Sequence, residues 1–217
     1  MSIKNNLLHI KTTLPEHVTL VAVSKTKPVS DLMEAYEASQ RIFGENKIQE
    51  MSEKWEQMPK DIQWHMIGHV QTNKVKFMAQ FVSLIHGVDS LKLLQEINKQ
   101  ALKHNRIIDC LLQIHIAEEE TKFGLDEQEL ASLLSSSEFE EMKNIRIVGL
   151  MGMATFTDNK DQIKKEFSHL KSIFDQLTIH NSQFTILSMG MSGDYQLAIE
   201  CGSNMVRIGS SIFGGRN

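Results

Sequence analysis

Eight short apolar runs recur along the chain, and residues typical of turns follow them. The runs are LVAVS (20–24), RIFG (41–44), WHMIG (64–68), SLIHGV (83–88), IIDCLLQIHI (107–116), IRIVGL (145–150), FTILSM (184–189) and MVRIG (205–209). Near-continuous apolar runs are typical of parallel strands, because other elements cover both faces of a parallel sheet. The pattern therefore predicts eight buried strands.

Segments with helical spacing lie between the runs. Apolar residues recur at steps of three or four after the fourth run, from Leu91 to Ala101, and after the sixth run, from Ile163 to Leu177. Asp126 followed by Glu129 is typical of the capping box that opens a helix. Residues 2–13 predict an extra helix before the first strand. Strands and helices thus alternate along the chain.

This alternation predicts an α/β protein, a (β/α)8 TIM barrel in which residues 1–217 form one domain. The chain length lies within the range that such barrels occupy as a single domain. The alternative is an open, doubly wound sheet. The dinucleotide fingerprint G-x-G-x-x-G and the phosphate-loop pattern G-x-x-x-x-G-K-[ST], found in many such sheets, do not occur here.

Charge and composition exclude several classes of partner. The formal net charge is -4 and basic residues are scattered among acids, so we expect no nucleic-acid partner. No apolar run reaches the roughly 18 residues that span a bilayer, and the N-terminus has no continuous apolar signal region. We therefore expect a cytoplasmic protein without a membrane partner. The two cysteines predict buried free thiols, not a disulfide framework.

Chemically useful residues follow the predicted strands. In a barrel the active site lies at the carboxyl ends of the strands, where residues far apart in sequence converge. They include Ser24, Lys25, Asn46, Asp89, Ser90 and Lys122, and the segments GHVQTNK, GMATF, SMGMSGD and RIGSS. His65 and His69 are four residues apart, but His65 lies in a predicted strand and no H-E-x-x-H pattern exists, so we expect no metal site.

The loops after the last two strands predict a phosphate site. Gly-rich loops that lead into helix N-termini present backbone amides to anions, and barrels often hold phosphate after strands seven and eight. The small residues that these two loops supply are Ser188, Gly190, Ser192, Gly209 and Ser210. Each loop alone is a weak signal, since Gly-Ser segments are common in ordinary turns. Their position on adjacent strands favours a shared phosphate site.

Two basic residues, one directly after an apolar run and one within another, suggest a more specific ligand. Desolvation at the end of a strand favours the neutral amine of Lys25, which can form a Schiff base with a carbonyl; the alternative is a lysine that reaches solvent. With a phosphate site opposite, a phosphorylated aldehyde is indicated, and pyridoxal phosphate is the commonest such cofactor. Arg207 either forms a structural ion pair or donates to the ring nitrogen of the cofactor, which would stay unprotonated.

Six segments together resemble the pyridoxal-phosphate homeostasis protein family, single-domain relatives of the alanine racemase barrel. They are VAVSKTKP, FGENKIQE, WHMIGHVQTNKVK, EEETKFG, GLMGMAT and LSMGMSGDYQLAIECGSNMVRIGSSIFGGR. They occur in the order of the family, and the resemblance spans about residues 18–216. It implies the barrel of the alanine racemase N-terminal domain and a role in intracellular vitamin B6 balance, with no established reaction.

The resemblance also implies the residues of the site. It implies pyridoxal 5′-phosphate bound as a Schiff base on Lys25, phosphate contacts from the Ser188–Ser192 loop with Gly190, Gly209 and Ser210, Asn46 near the ring, Arg207 near the ring nitrogen, and Lys27 and Lys122 as nearby basic residues. The protein would then buffer the cofactor or deliver it to pyridoxal-phosphate-dependent apo-enzymes. We expect it to act as a monomer.

Two enzymatic functions are the alternatives. One is an amino-acid racemase, and the other is a barrel phosphatase or aldolase-like enzyme whose lysine meets a sugar phosphate. Racemisation needs two acid/base groups on opposite faces of the cofactor. In the racemases that this barrel resembles, a tyrosine from a second domain supplies one of them, and this chain ends at Asn217. Tyr36 and Tyr195 lie in predicted helices, so we expect no racemase activity.

Overall fold

The computed structural model of the chain describes residues 2–119 and 123–215. Eight parallel strands form a closed barrel in chain order, and the last strand pairs with the first. They are β1 (Thr19–Val23), β2 (Ile42–Glu45), β3 (Gln63–Met66), β4 (Val82–Val88), β5 (Ile108–Gln113), β6 (Ile145–Met151), β7 (Ile186–Ser188) and β8 (Met205–Ile208). Each strand falls on one of the eight predicted runs, so the predicted (β/α)8 barrel is confirmed.

Helices connect the strands and surround the barrel. They are α1 (Ile3–Thr13), α2 (Val29–Glu37), α3 (Ile48–Gln57), α4 (Leu91–Lys103), α5 (Glu127–Leu134), α6 (Ser137–Glu140), α7 (Lys160–His180), α8 (Tyr195–Glu200) and α9 (Ser210–Phe213). A 3-10 helix, Thr72–Phe77, takes the place of an α-helix between β3 and β4.

Local signals in the sequence explain where several helices begin. The Asp126 carboxylate accepts from the Glu129 amide at 2.8 Å, and the Glu129 carboxylate accepts from the Asp126 amide at 3.0 Å, so the predicted capping box is confirmed. The predicted extra helix before the first strand is α1, and the Ser2 hydroxyl caps it. It packs against α2 and α9 at the outside of the barrel.

Two apolar cores hold the barrel together. The larger core lies between the strands and the surrounding helices. The smaller core fills the barrel interior with side chains from β1, β4, β5, β6 and β8. Its buried members are Val21, Leu84, Leu111, Val148, Met151 and Met205. The barrel interior is therefore packed with side chains, as is typical of (β/α)8 barrels.

The two thiols differ in exposure. Cys110 is buried in β5, as expected, but Cys201 is partly exposed because it lies at the C-terminal end of α8, so the expectation of two buried thiols is wrong for Cys201. Within the described residues, no helix is long and apolar enough to cross a membrane.

Candidate functional site

A cavity of about 400 Å³ opens at the carboxyl ends of the strands. Its volume is in the range of small-molecule sites. Apolar side chains form part of its wall, among them Ile67, Met153 and Met191. Six of the eight residues predicted to bind a cofactor line it: Lys25, Asn46, Ser192, Arg207, Gly209 and Ser210. Loops from opposite ends of the sequence thus contribute to one site.

The loop after β1 brings two lysines to this cavity. Lys25 follows the last residue of β1 by two positions and is half-buried, and Lys27 lies on the same wall. The Lys27 ammonium donates to the carbonyl of Gly215 at 3.0 Å. Lys122, the other basic residue expected nearby, lies outside the described residues. The loop at the carboxyl end of β1 thus places two lysines on the wall of the cavity.

The residues on either side of Lys25 are held by hydrogen bonds. The Ser24 hydroxyl donates to the Glu45 carboxylate at 2.6 Å, and the Thr26 amide donates to the Glu50 carboxylate at 2.6 Å. Thr26 has a φ of 63°, which is rare for a β-branched residue. Lys54 on α3 contacts both carboxylates, at 2.7 Å each. The local backbone at Lys25 is thus tied to β2 and α3.

Two polypeptide segments meet at the predicted phosphate site. The Ser192 hydroxyl, after β7, accepts from the backbone amide of Gly209, after β8, at 3.2 Å. Gly209 lies close to β1, since a Cβ added there would be 3.0 Å from the Val23 carbonyl oxygen. Ser210 is exposed at the first position of α9. This end of the cavity therefore offers hydroxyl groups and backbone in a small volume.

Ser188 and Gly190 do not belong to the described lining of the cavity, and their contact with the phosphate stays a prediction. Ser188 is the last residue of β7, is fully buried, and bonds with His86 and Arg207. Gly190 has a φ of 99°, and a Cβ there would lie 2.6 Å from the Cβ of Ala198. Its lack of a side chain serves close packing against α8.

Arg207 lines the cavity and is almost fully buried. Its Nη1 donates to the carbonyl of Ser188 at 2.9 Å and to the Ser188 hydroxyl at 2.6 Å, and its Nη2 donates to the carbonyl of Gly152 at 3.1 Å. Burial lowers the pKa of Arg207 to about 10, and the nearby Asp194 charge opposes this shift. The guanidinium is therefore charged at neutral pH and fixed in place.

A chain of polar side chains continues below Arg207. His86 Nδ1 lies 3.0 Å from the Ser188 hydroxyl, and His86 Nε2 lies 3.0 Å from His65 Nδ1. Strands β4 and β7 are not neighbours, so this chain crosses the barrel interior. Burial lowers the pKa of His65 to about 3 and the pKa of His86 well below its ordinary value. Both imidazoles are neutral at physiological pH.

The histidine pair noted in the sequence is separated in the structure. His65 is inside the barrel, whereas His69 is exposed, stacks on Phe123 at 4.1 Å, and lies 3.4 Å from the Asp89 carboxylate. Among the described residues, no cluster of three or more His, Cys, Asp and Glu side chains is arranged to hold a metal ion.

Both tyrosines contact residues away from the cavity. The Tyr36 hydroxyl donates to the Asp61 carboxylate at 2.9 Å on the protein surface. The Tyr195 hydroxyl lies 3.0 Å from the hydroxyl of Thr13 on α1. Neither tyrosine belongs to the described lining of the cavity.

Three residues that support the site were not predicted from the sequence. Glu45 is the last residue of β2, and Glu50 and Lys54 lie on α3; all three surround the loop that carries Lys25. One signal was available for Lys54. It continues the buried face of α3 that Ile48 and Met51 begin, and a lysine among buried positions needs polar partners.

Comparisons with known proteins identify relatives of the chain. The family model of the alanine racemase N-terminal domain matches residues 1–217. The pyridoxal phosphate homeostasis protein of Haemophilus influenzae is 38% identical over 205 residues, covering 92% of this chain and 86% of the relative. The protein of the same name from Aquifex aeolicus is 38% identical over 199 residues, covering 91% of this chain and 86% of that protein.

Solved structures with the same fold include a PipY protein and an alanine racemase. PipY of Synechococcus elongatus, solved with PLP bound, has a TM-score of 0.89 and 32% identity, covering 98% of this chain and 100% of that chain. An alanine racemase from E. faecalis has a TM-score of 0.77 at 16% identity, which demonstrates a shared fold only. This chain covers 58% of the length of that racemase.

Proposed function

This chain belongs to the pyridoxal phosphate homeostasis protein family, and we propose on that premise that it binds pyridoxal 5′-phosphate in the cavity at the carboxyl ends of its strands. The observation that carries the proposal is the convergence of Lys25, Arg207 and the Ser192–Gly209 contact on one cavity of about 400 Å³. The ligand needs an amine, a phosphate site and a polar group for its ring. The residues of the cavity fit these three needs.

Lys25 provides the amine in this proposal. When bound, pyridoxal 5′-phosphate supplies an aldehyde that an uncharged lysine amine converts to a Schiff base with loss of water. The half-buried position of Lys25, directly after a buried strand, supports this role. Asn46 and Ile67 lie on the same cavity and would border the ring.

Arg207 and the two glycine-containing loops would orient the ligand. A guanidinium has only donors, so a ring nitrogen that meets Arg207 accepts a hydrogen bond and stays unprotonated. Ser192, Gly209 and Ser210 would hold the phosphate with hydroxyl and backbone donors. Lys27 would add positive charge on the same side. An unprotonated ring withdraws electrons weakly, which favours holding the cofactor over catalysis.

We further propose that the protein buffers pyridoxal 5′-phosphate in the cytoplasm, delivers it to apo-enzymes that require it, and catalyses no reaction of its own. Racemisation needs a second acid/base group across the ring from Lys25, and the hydroxyls of Tyr36 and Tyr195 are bonded elsewhere. We also propose that the protein acts as a monomer in which residues 1–217 form one domain.

The test is a binding titration with two ligands. Protein freed of small molecules is titrated with pyridoxal 5′-phosphate and with pyridoxal, and visible absorbance reports the covalent adduct. We expect tight binding of the phosphorylated ligand and at least roughly tenfold weaker binding of pyridoxal, because charge-assisted hydrogen bonds are lost. Ser192→Ala should weaken only the phosphorylated ligand, and the exposed Ser168→Ala on α7 is the control. If neither ligand binds, the proposal is wrong.

A further inference from the structure

We propose that an ion network positions Lys25 by holding the residues on both sides of it; this inference rests on the proposed function, in which Lys25 is the reactive amine. The network, here called the anchor network, consists of Glu45, Glu50 and Lys54. It lies between β2, α3 and the loop after β1. None of its members belongs to the described lining of the cavity, so they act through the backbone.

The first half of the anchor network holds Ser24. The Lys54 ammonium donates to the carbonyl of Ser24 at 2.8 Å and to Glu45 Oε1 at 2.7 Å. The Ser24 hydroxyl donates to the same Glu45 oxygen at 2.6 Å. Backbone and side chain of the residue before Lys25 are thus fixed by one lysine and one carboxylate.

The second half holds Thr26. Glu50 Oε1 accepts from the Thr26 amide at 2.6 Å and from the Lys54 ammonium at 2.7 Å. Thr26 has a φ of 63°, a conformation that costs free energy for a β-branched residue and persists only where the surroundings enforce it. The Glu50 carboxylate supplies that constraint. Without it, the loop can relax and move the Lys25 side chain.

The burial of Glu45 and Lys54 indicates that the anchor network does more than fill space. Lys54 is 5% exposed and Glu45 is fully buried, and burying charges is costly. The three N–H groups of Lys54 match three acceptors, so its ammonium is held in one orientation. An apolar residue would pack on this face of α3 at lower cost. A fixed amine is worth that cost because a displacement of about 1 Å slows a reaction strongly.

Variants of Glu50 test the inference with a matched control on the same helix. Glu50→Ala removes the acceptor of the Thr26 amide, and Glu50→Gln keeps an oxygen there. Glu53→Ala changes an exposed neighbour whose carboxylate accepts from the side-chain amide of Gln49. Two ligands are compared for each variant. Pyridoxal 5′-phosphate reports attachment to Lys25, measured by borohydride reduction and peptide mass spectrometry. Pyridoxine 5′-phosphate has no aldehyde and reports binding alone.

We expect Glu50→Ala to slow attachment at Lys25 at least roughly tenfold while the affinity for pyridoxine 5′-phosphate changes by less than about twofold. Glu50→Gln should retain most of the rate, and Glu53→Ala all of it. If pyridoxal 5′-phosphate attaches to Lys25 of Glu50→Ala at the wild-type rate, the inference is wrong. A loss of pyridoxine 5′-phosphate affinity as large as the loss of attachment rate would also overturn it, because the network would then support the whole site and not Lys25 in particular.

Hydrogen exchange separates this inference from the proposed function. In ligand-free protein, the Thr26 amide should exchange at least roughly tenfold faster in Glu50→Ala than in the wild type or Glu53→Ala, since its acceptor is lost. An unchanged exchange rate of the Thr26 amide in Glu50→Ala would contradict the claim that the anchor network holds this loop. If the wild type fails to attach any ligand at Lys25, the proposed function is wrong, and the exchange result still decides whether the network holds this loop.

Discussion

Removal of the Lys54 ammonium should destabilise the protein strongly. In Lys54→Met, three hydrogen bonds are lost, and the carboxylate of Glu45 stays fully buried with the Ser24 hydroxyl as its described donor. Breaking a buried ion pair by removing one partner costs about 3–5 kcal/mol, because the remaining charge is uncompensated. Glu50 adds little, since its side chain is 23% exposed and reaches water. We expect a loss within that range.

The loss should depend on pH in a defined direction. Burial raises the pKa of Glu45 above its ordinary value even in the native protein, and the Lys54 charge opposes this shift. Without Lys54 the pKa rises further. A carboxyl group whose pKa is higher in the folded state stabilises the fold below its unfolded pKa of about 4.3, and this stabilisation is lost as the pH rises through the folded pKa. The deficit of Lys54→Met should therefore grow from acidic to neutral pH.

Urea unfolding followed by tryptophan fluorescence measures this free energy. A deficit of about 3–5 kcal/mol corresponds to a melting temperature lower by roughly 6–20 °C in a chain of this size. Lys99→Met is the control, because Lys99 is 65% exposed and its ion pair with Glu96 should contribute less than about 1 kcal/mol. Adding Glu45→Gln to Lys54→Met should recover much of the loss. A deficit below about 1 kcal/mol, or one that does not change with pH, would refute the reasoning.

Three further predictions concern the site, the thiols and catalysis. Gly68→Ala should weaken pyridoxal 5′-phosphate binding at least roughly threefold in a titration, because the new Cβ would lie 2.4 Å from the carbonyl oxygen of Asn46 and would displace this cavity residue. Unchanged affinity would contradict the prediction. A thiol reagent should modify the partly exposed Cys201 first, since burial raises the pKa of Cys110; faster labelling of Cys110 contradicts this. In deuterated water the loaded protein should not exchange the α-proton of amino acids, and inversion at enzyme-like turnover would instead establish a racemase.

The fold could be predicted from the sequence because its signals are local. Every strand is an apolar run, and the capping box at Asp126 is visible in four residues. The 3-10 helix after β3 could not be predicted in the same way, since its segment TNKVKF has no apolar face with helical spacing.

The site was predicted less completely, because the sequence tells which residues end a strand but not which way they face. Ser188 and Gly190 share the composition of the predicted phosphate loop, yet one bonds inside the barrel and the other packs against α8. The anchor network was missed for a different reason. Its three members are far from Lys25 in sequence. The pairing of β2 with β1 brings Glu45 to the loop, and the packing of α3 against β2 brings Glu50 and Lys54 there.

Identification of the modified lysine tests the central claim most directly. The protein is loaded with pyridoxal 5′-phosphate, reduced with borohydride and digested, and the labelled peptides are sequenced by mass spectrometry. We predict nearly all label on Lys25, its loss in Lys25→Ala, and its persistence in Lys27→Ala, because both lysines line the cavity but only Lys25 is held by the anchor network on both sides. Label on Lys27 or another lysine at full strength, or no label in the wild type, would contradict the account.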